Sequence, residues 1–112
     1  MKLYGIRILE KLKRKKRGNK QLARAINELV ASIETESWND PLELAKSRPG
    51  ADCIHSKGFY FFNIRIHRTM IMIEFEDNIA TVVWAGSHKE YEKTFKNNRD
   101  VIEKWLRDKN WI

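Results

Sequence analysis

The chain has a single cysteine, Cys53, so it cannot build an internal disulfide framework. Its three histidines, His55, His67 and His88, do not combine with that cysteine in the paired spacing of a zinc site, so neither a metal nor another cofactor is expected. Nowhere do eighteen apolar residues run together, and the opening MKLYGIRILEKLKRKKR alternates apolar with charged residues instead of forming a signal-peptide core. A reduced, cytoplasmic protein without a membrane span is the expectation. Proline occurs twice and glycine five times, and no low-complexity linker or internal repeat divides the chain. Acidic residues are also locally scarce: Met1 to Arg24 contains only Glu10.

That last deficit defines what is present. The same segment holds ten basic residues, whereas the remainder carries twelve basic and fourteen acidic ones, so the net charge of +7 is local. Lys11, Lys13, Arg14, Lys15, Lys16, Arg17, Lys20 and Arg24 form a block able to attract RNA or DNA by counterion release, whatever the base sequence. A solvated helix face is the plain alternative. With 112 residues, 42% of them apolar, the chain can fill one core, and a single domain spanning residues 1–112 is expected.

Leu3 to Ile8 alternates and reads as a short strand or the lead into a helix. Leu9 to Arg17 is helical and basic, Gly18-Asn19 interrupts it, and Leu22, Ile26, Leu29, Val30 and Ile33 recur on one helical face, so two antiparallel helices are expected. Ser37 to Pro49 reads as a linker with one helical turn, started by Asp40-Pro41 and stopped by Arg48-Pro49-Gly50. The period then changes. Phe59 to Ile66, Thr69 to Phe75 and Ile79 to Ala85 are rich in β-branched and aromatic residues and suit antiparallel strands, with Asp77-Asn78 as a tight turn. A last helix, capped by Asn97 or Asn98, carries Val101, Ile102, Trp105 and Leu106 on one face. The expected architecture is α+β: an antiparallel sheet of about four strands packed on one face against an N-terminal helical pair, with a C-terminal helix.

The segment Thr81 to Glu92, TVVWAGSHKEYE, ends an apolar strand and delivers His88, Lys89 and Tyr91 to its exit. A strand exit lets a rigid sheet hold acid, base and cation at fixed distances while leaving them open to substrate. Three such side chains make this a candidate site for cleaving a polyanion.

A basic helical pair, a sheet beginning near DCIHSKGFYFFNI, a strand opening HRTMIMIEF and an exit reading SHKEY together resemble the HigB branch of the RelE-type toxins of bacterial toxin–antitoxin modules, over most of Leu3 to Phe95. The resemblance implies a small ribonuclease that cuts mRNA, usually on the ribosome. It also implies a partner antitoxin of the helix-turn-helix class, HigA-like, with operator DNA reached only through the antitoxin complex.

RNA carries its own nucleophile, the 2′-hydroxyl, so cleavage needs a base for that hydroxyl, an acid for the 5′-oxygen and cations for the phosphorane, and no metal. His88 is the expected acid/base, with Tyr91 exchanging protons or positioning. Arg68, always charged and able to make paired contacts to phosphate oxygens, is the expected transition-state cation, with Lys57 and Lys89 assisting. Lys13, Arg14, Lys15, Lys16 and Arg17 are expected on the RNA backbone, and Asn63 and His67 are further candidates. Strand neighbours point to opposite faces, so only one of His67 and Arg68 should face the site, and Arg68 is preferred. Each residue also has a structural alternative: His88 as a helix cap, Tyr91 as core, Arg68 paired with Glu74 or Glu76, Asn63 as a sheet partner. Together those alternatives describe a non-catalytic basic nucleic-acid-binding module. Half of Phe59 to Phe62 should be core by alternation, Cys53 is expected as a small packing residue, and Trp111 alone among the tryptophans suggests a partner contact.

Replacing Lys13, Arg14, Lys15 and Lys16 with neutral residues should weaken association with RNA or ribosomes and flatten its dependence on salt, by about one unit of slope or less per lost phosphate contact. Binding titrations at several salt concentrations check this; an unchanged slope would reduce the block to a solvated face.

Overall fold

The computed structural model describes residues 1–112, and the β-branched and aromatic runs of the second half form strands, as their composition favours. β1 (Lys2–Tyr4), β2 (Asp52–His55), β3 (Phe59–Ile64), β4 (His67–Glu74) and β5 (Ile79–Ser87) make one sheet in the order β1-β5-β4-β3-β2. The helices are α1 (Ile6–Lys15), α2 (Lys20–Thr35), α3 (Pro41–Ser47), α4 (His88–Phe95) and α5 (Arg99–Asp108). β2 to β5 are antiparallel neighbours: β3, β4 and β5 are the three strands expected in the second half, and β2 pairs ahead of the aromatic strand. β1 adds a fifth, parallel to β5 through Lys2↔Ile79, Leu3↔Ala80 and Tyr4↔Thr81.

Alternation along β3 sends Tyr60, Phe62 and Ile64 to one face and Phe59 and Phe61 to the other, and all five are buried. A strand apolar on both sides needs cover on both sides. On the first face Leu9, Leu12, Leu22, Ile26, Leu29, Ile33 and Leu44, from α1, α2 and α3, close over Tyr60, Phe62, Ile64, Ile71, Ile73 and Val82. On the second, Tyr91, Phe95, Ile102 and Leu106, from α4 and α5, close over Phe59, Phe61, Met70 and Val83. The helices therefore lie on both faces, not one. A register shift between Met70↔Trp84 and Ile71↔Val82 leaves Val83 as the extra residue of a bulge, which lets Val83 and Trp84 both join the second face.

β1 covers only the first three residues of β5, and α1 runs beside the rest of that edge, with Ile8, Leu12 and Lys15 against Val83, Trp84 and Ala85. Gly5 makes this possible. It caps α1 at φ 75°, and a Cβ there would stand 2.5 Å from the Val82 carbonyl oxygen. α1 then points toward the exit of β5, where Lys15 meets Glu90. α2 returns the other way, its Ile33 carbonyl accepting from the Met1 nitrogen beside the start of β1, so the two helices are antiparallel as expected.

Several boundaries differ from expectation for identifiable reasons. The first helix begins at Ile6, inside the alternating stretch, because Gly5 turns the chain off the sheet. β3 ends at Ile64 because Arg65-Ile66 is the hairpin turn, and β4 starts at His67. β5 runs to Ser87, two residues further than its apolar run, because Gly86 and Ser87 still pair with Arg68 and His67. The turn before β5 spans Phe75 to Asn78, with Asn78 at φ 56°. Cys53 is exposed on β2, outside both core clusters, with its thiol 3.7 Å from the His55 carbonyl oxygen, and Trp111 rests against the core under α5. No helix is long and apolar enough to cross a membrane.

Gly5→Ala should destabilise the fold by roughly 2 kcal/mol or more, since it combines a left-handed backbone with a clash against main chain. Gly18→Ala, where nothing stands within 4 Å of the added carbon, should shift stability by about 0.5 kcal/mol at most. Urea denaturation of the two variants side by side checks the contrast.

Candidate functional site

α4 starts where β5 stops because Ser87 and Glu90 form a capping box: the Ser87 hydroxyl accepts from the Glu90 N–H at 3.1 Å, and Glu90 Oε1 accepts from the Ser87 N–H at 3.0 Å. The signature S-x-x-E stood in the sequence as Ser87-His88-Lys89-Glu90, and it places His88 and Lys89 on the first helical turn, not in a loop before a later helix. The main-chain N–H bond from Ser87 holds the Glu90 carboxyl below its usual range, burial opposes that, and the Ser87 hydroxyl and Lys15 reinforce it.

His88, Tyr91 and Glu92 share one face of α4 at spacings of three and four. The His88 and Tyr91 rings stack 5.8 Å apart, and His88 Nε2 is 3.0 Å from Glu92 Oε1. Below them, the register pairs Asn63↔Arg68 and Arg68↔Gly86 set a row across three strands. Arg68 Nε donates to Asn63 Oδ1 at 3.1 Å, and the guanidinium carbon lies 4.7 Å from the Tyr91 ring centre and 5.1 Å from that of Phe61. The row can close because Gly86 has no side chain: a Cβ there would meet the Trp84 ring at 2.8 Å. Arg68 thus stacks on two rings with its terminal nitrogens unpaired by any acid, and Glu74 stands at the other end of β4.

Tyr91 is buried, and its hydroxyl donates to Asn97 Oδ1 at 3.1 Å. Its ring is the surface on which Arg68 and His88 both stack. Asn97, missed in the sequence except as a possible helix cap, adopts φ 48°, a left-handed conformation asparagine tolerates better than most residues. Asn98 is the cap of α5.

The remaining candidates divide. Lys89 is exposed beside His88 on the same turn. Lys15 reaches Glu90 at 3.3 Å, which brings the basic end of α1, with exposed Arg14 and Arg17, to the strand exit. Lys13 is held by Glu10 at 3.0 Å and by Asn27 at 2.9 Å. Lys57 does not join them. It sits in the β2–β3 turn before Phe59, at the opposite end of the sheet, on a cavity of about 770 Å³ with Asp40, Glu74, Glu76 and Asp77. His55 is at that end too, with Nε2 3.4 Å from Glu103. His67, expected as a further RNA contact, instead faces away from Arg68 and is only 4% exposed, with Nδ1 lacking any hydrogen-bond partner. Burial pulls its imidazole below 6.5, the Lys16 charge adds to this, and Glu90 opposes it. No group of three or more His, Cys, Asp and Glu side chains is placed to hold a metal ion.

A family model, HigB_toxin, the RelE-like toxic component of a toxin–antitoxin system, matches residues 22–94. The match runs from α2 to α4 and takes in Asn63, Arg68, His88 and Tyr91, while α1 with its basic end lies before it. No curated protein matches the chain.

The depressed His67 imidazole predicts an acid-side loss of stability. Below pH 6.5 the unfolded chain takes up a proton at this histidine that the folded chain resists, so folding stability contributed by the neutral ring is full above that pH and declines as pH falls through it. Denaturation midpoints between pH 7.5 and 5 should fall less steeply for His67→Gln than for the parent; parallel slopes would show that His67 protonates freely in the fold.

Proposed function

The chain belongs to the RelE-like HigB toxin family, the toxic component of a toxin–antitoxin system, and from that premise we propose that it is a metal-independent endoribonuclease that cuts mRNA on the ribosome in the cytoplasm. The observation that supports this reading best is the Arg68 guanidinium, fixed by Asn63 and stacked on the ring of Tyr91, the same ring on which the exposed His88 imidazole stacks. In this reading Arg68 holds the non-bridging oxygens of the scissile phosphate through its free terminal nitrogens. Its orientation is set before substrate arrives, because two rings and one side-chain amide restrict it.

His88 then stands where it can take the proton of the attacking 2′-hydroxyl or return one to the departing 5′-oxygen. Glu92 at Nε2 orients the ring and leaves Nδ1 for the substrate. The oxygen–phosphorus bond forms from the 2′ side as the bond to the 5′-oxygen breaks, which leaves a 2′,3′-cyclic phosphate and a free 5′-hydroxyl. Lys89 and the end of α1 hold flanking phosphates. Lys57, at the far end of the sheet, has no part in this step. The family implies an antitoxin partner; we propose one of the helix-turn-helix, HigA-like class, with operator DNA engaged only through that complex.

Cleavage of mRNA on programmed ribosomes should leave 2′,3′-cyclic phosphate and 5′-hydroxyl ends. His88→Ala should slow the chemical step by roughly a hundredfold, and Arg68→Ala should relieve growth arrest on expression. New 5′-phosphate ends would overturn the mechanism, and wild-type protein that binds RNA but cuts none would favour the non-catalytic basic module.

A further inference from the structure

The β3–β4 hairpin is closed by the pair Ile64↔His67, and the next pair is Asn63↔Arg68. The two turn residues, Arg65 and Ile66, therefore stand immediately beyond the arginine of the site. The first is ill suited to its place by turn physics, and the second is an apolar side chain at an exposed tip. Arg65 has φ 59°, at a position two-residue hairpins normally give to glycine, asparagine or aspartate. Three of the other four non-glycine residues with positive φ here are asparagines, so the fold elsewhere mostly uses the expected residue type.

Ile66 is 75% exposed, the most exposed large apolar side chain of the protein. The others lie elsewhere: Tyr4 and Ile6 flank the junction of β1 and α1 by the first half of β5, and Leu42 is on α3. An isolated apolar side chain at a surface needs no special account. One paired with an arginine held at positive φ, next to a cation already stacked on rings, points to a ligand with both apolar faces and negative charge.

Resting on the ribonuclease reading above, we propose that the Arg65–Ile66 tip engages the RNA nucleotide adjacent to the scissile phosphate, Ile66 wedging between two stacked bases and Arg65 holding the flanking phosphate. Apolar side chains separate stacked bases in this way, and arginine binds phosphate in paired contacts. The chemistry gives the wedge a purpose. Attack by the 2′-oxygen requires it in line with the departing 5′-oxygen, an alignment that a helically stacked strand does not offer. Parting the bases on either side of the phosphate frees the backbone to adopt it. The tip is thus a positioning element, and Arg68 and His88 act on the phosphate it presents.

The test uses an mRNA on ribosomes with 2-aminopurine next to the cleavage position and the 2′-hydroxyl there replaced by hydrogen, so that unstacking is read as a fluorescence rise without cleavage. Wild-type protein should raise the signal. The double variant Arg65→Asn, Ile66→Gly restores a favoured hairpin turn and should melt no lower than the parent, yet lose most of the rise and cut unmodified mRNA at least roughly tenfold more slowly. Ile66→Ser, which leaves Arg65 in place, should lose the rise as well. Variants that unstack and cut like the parent overturn the proposal, as does a wild-type protein that gives no rise. Variants that lose only antitoxin binding overturn it too and assign the tip to that partner. A wild-type protein that gives the rise but cuts no RNA would defeat the ribonuclease reading while the tip assignment stood.

Discussion

Burial of β3 on both of its faces is the constraint on which the rest of the molecule depends. Four consecutive aromatics, Phe59 to Phe62, cannot all face one layer, so alternation obliges the chain to supply helices above and below the sheet. α1, α2 and α3 meet the first demand and α4 and α5 the second. The site follows from the second, since α4 can cover Phe61 only by bringing Tyr91 and Phe95 down onto it, at ring separations of 4.9 and 5.4 Å. Once Tyr91 is there, its outer surface and that of Phe61 form the bed on which Arg68 lies. Core packing and the placement of the cation are one event.

The same parity separates Arg68 from His67. One residue of register decides that the arginine faces the rings of α4 while the histidine turns under the end of α1, buried beside Lys16 and without a partner for Nδ1. Two basic-type side chains adjacent in sequence thereby acquire opposite characters: a charged group at a surface and a neutral one in the interior. Alternation alone made that division legible before any coordinates, and it is the most secure inference the sequence permits about the site.

Other parts were less legible, for physical reasons. Helix faces and strand runs show in local periodicity, so α2, β3, β4 and the antiparallel core of the sheet could be read directly. For β1 the sequence left a short strand and a helix lead open over Leu3 to Ile8, and its pairing with β5 was not legible, because three residues carry little period and the partner lies more than seventy residues away. Nor were the helices on the second face, because one strand's alternation shows that both sides are apolar without showing which helix covers which. Lys57 lies close to the aromatic strand in sequence, but an antiparallel hairpin places the start and end of a strand at opposite ends of the sheet, and Lys57 precedes the start of β3 while Asn63 lies near its end. The capping box at Ser87 and Glu90 was readable, and would have put His88 on a helix from the outset.

The topology also distributes charge along the sheet. α1 runs beside the open edge of β5 and carries its basic end to the strand exit, where Lys15 reaches Glu90, while Asp40, Glu74, Glu76 and Asp77 gather round the cavity at the other end. A molecule with positive charge at one end and acidic groups at the other is turned, as well as drawn, by a polyanion, and the end turned toward it is the one that holds Arg68 and His88. Glu90 has a double part in this. Its carboxylate closes the cap that starts α4 and also takes the Lys15 ammonium, so the element that positions His88 is tied to the element that supplies long-range attraction. The exposed pair adds little stability by itself, but it joins the basic end of α1 to the first turn of α4.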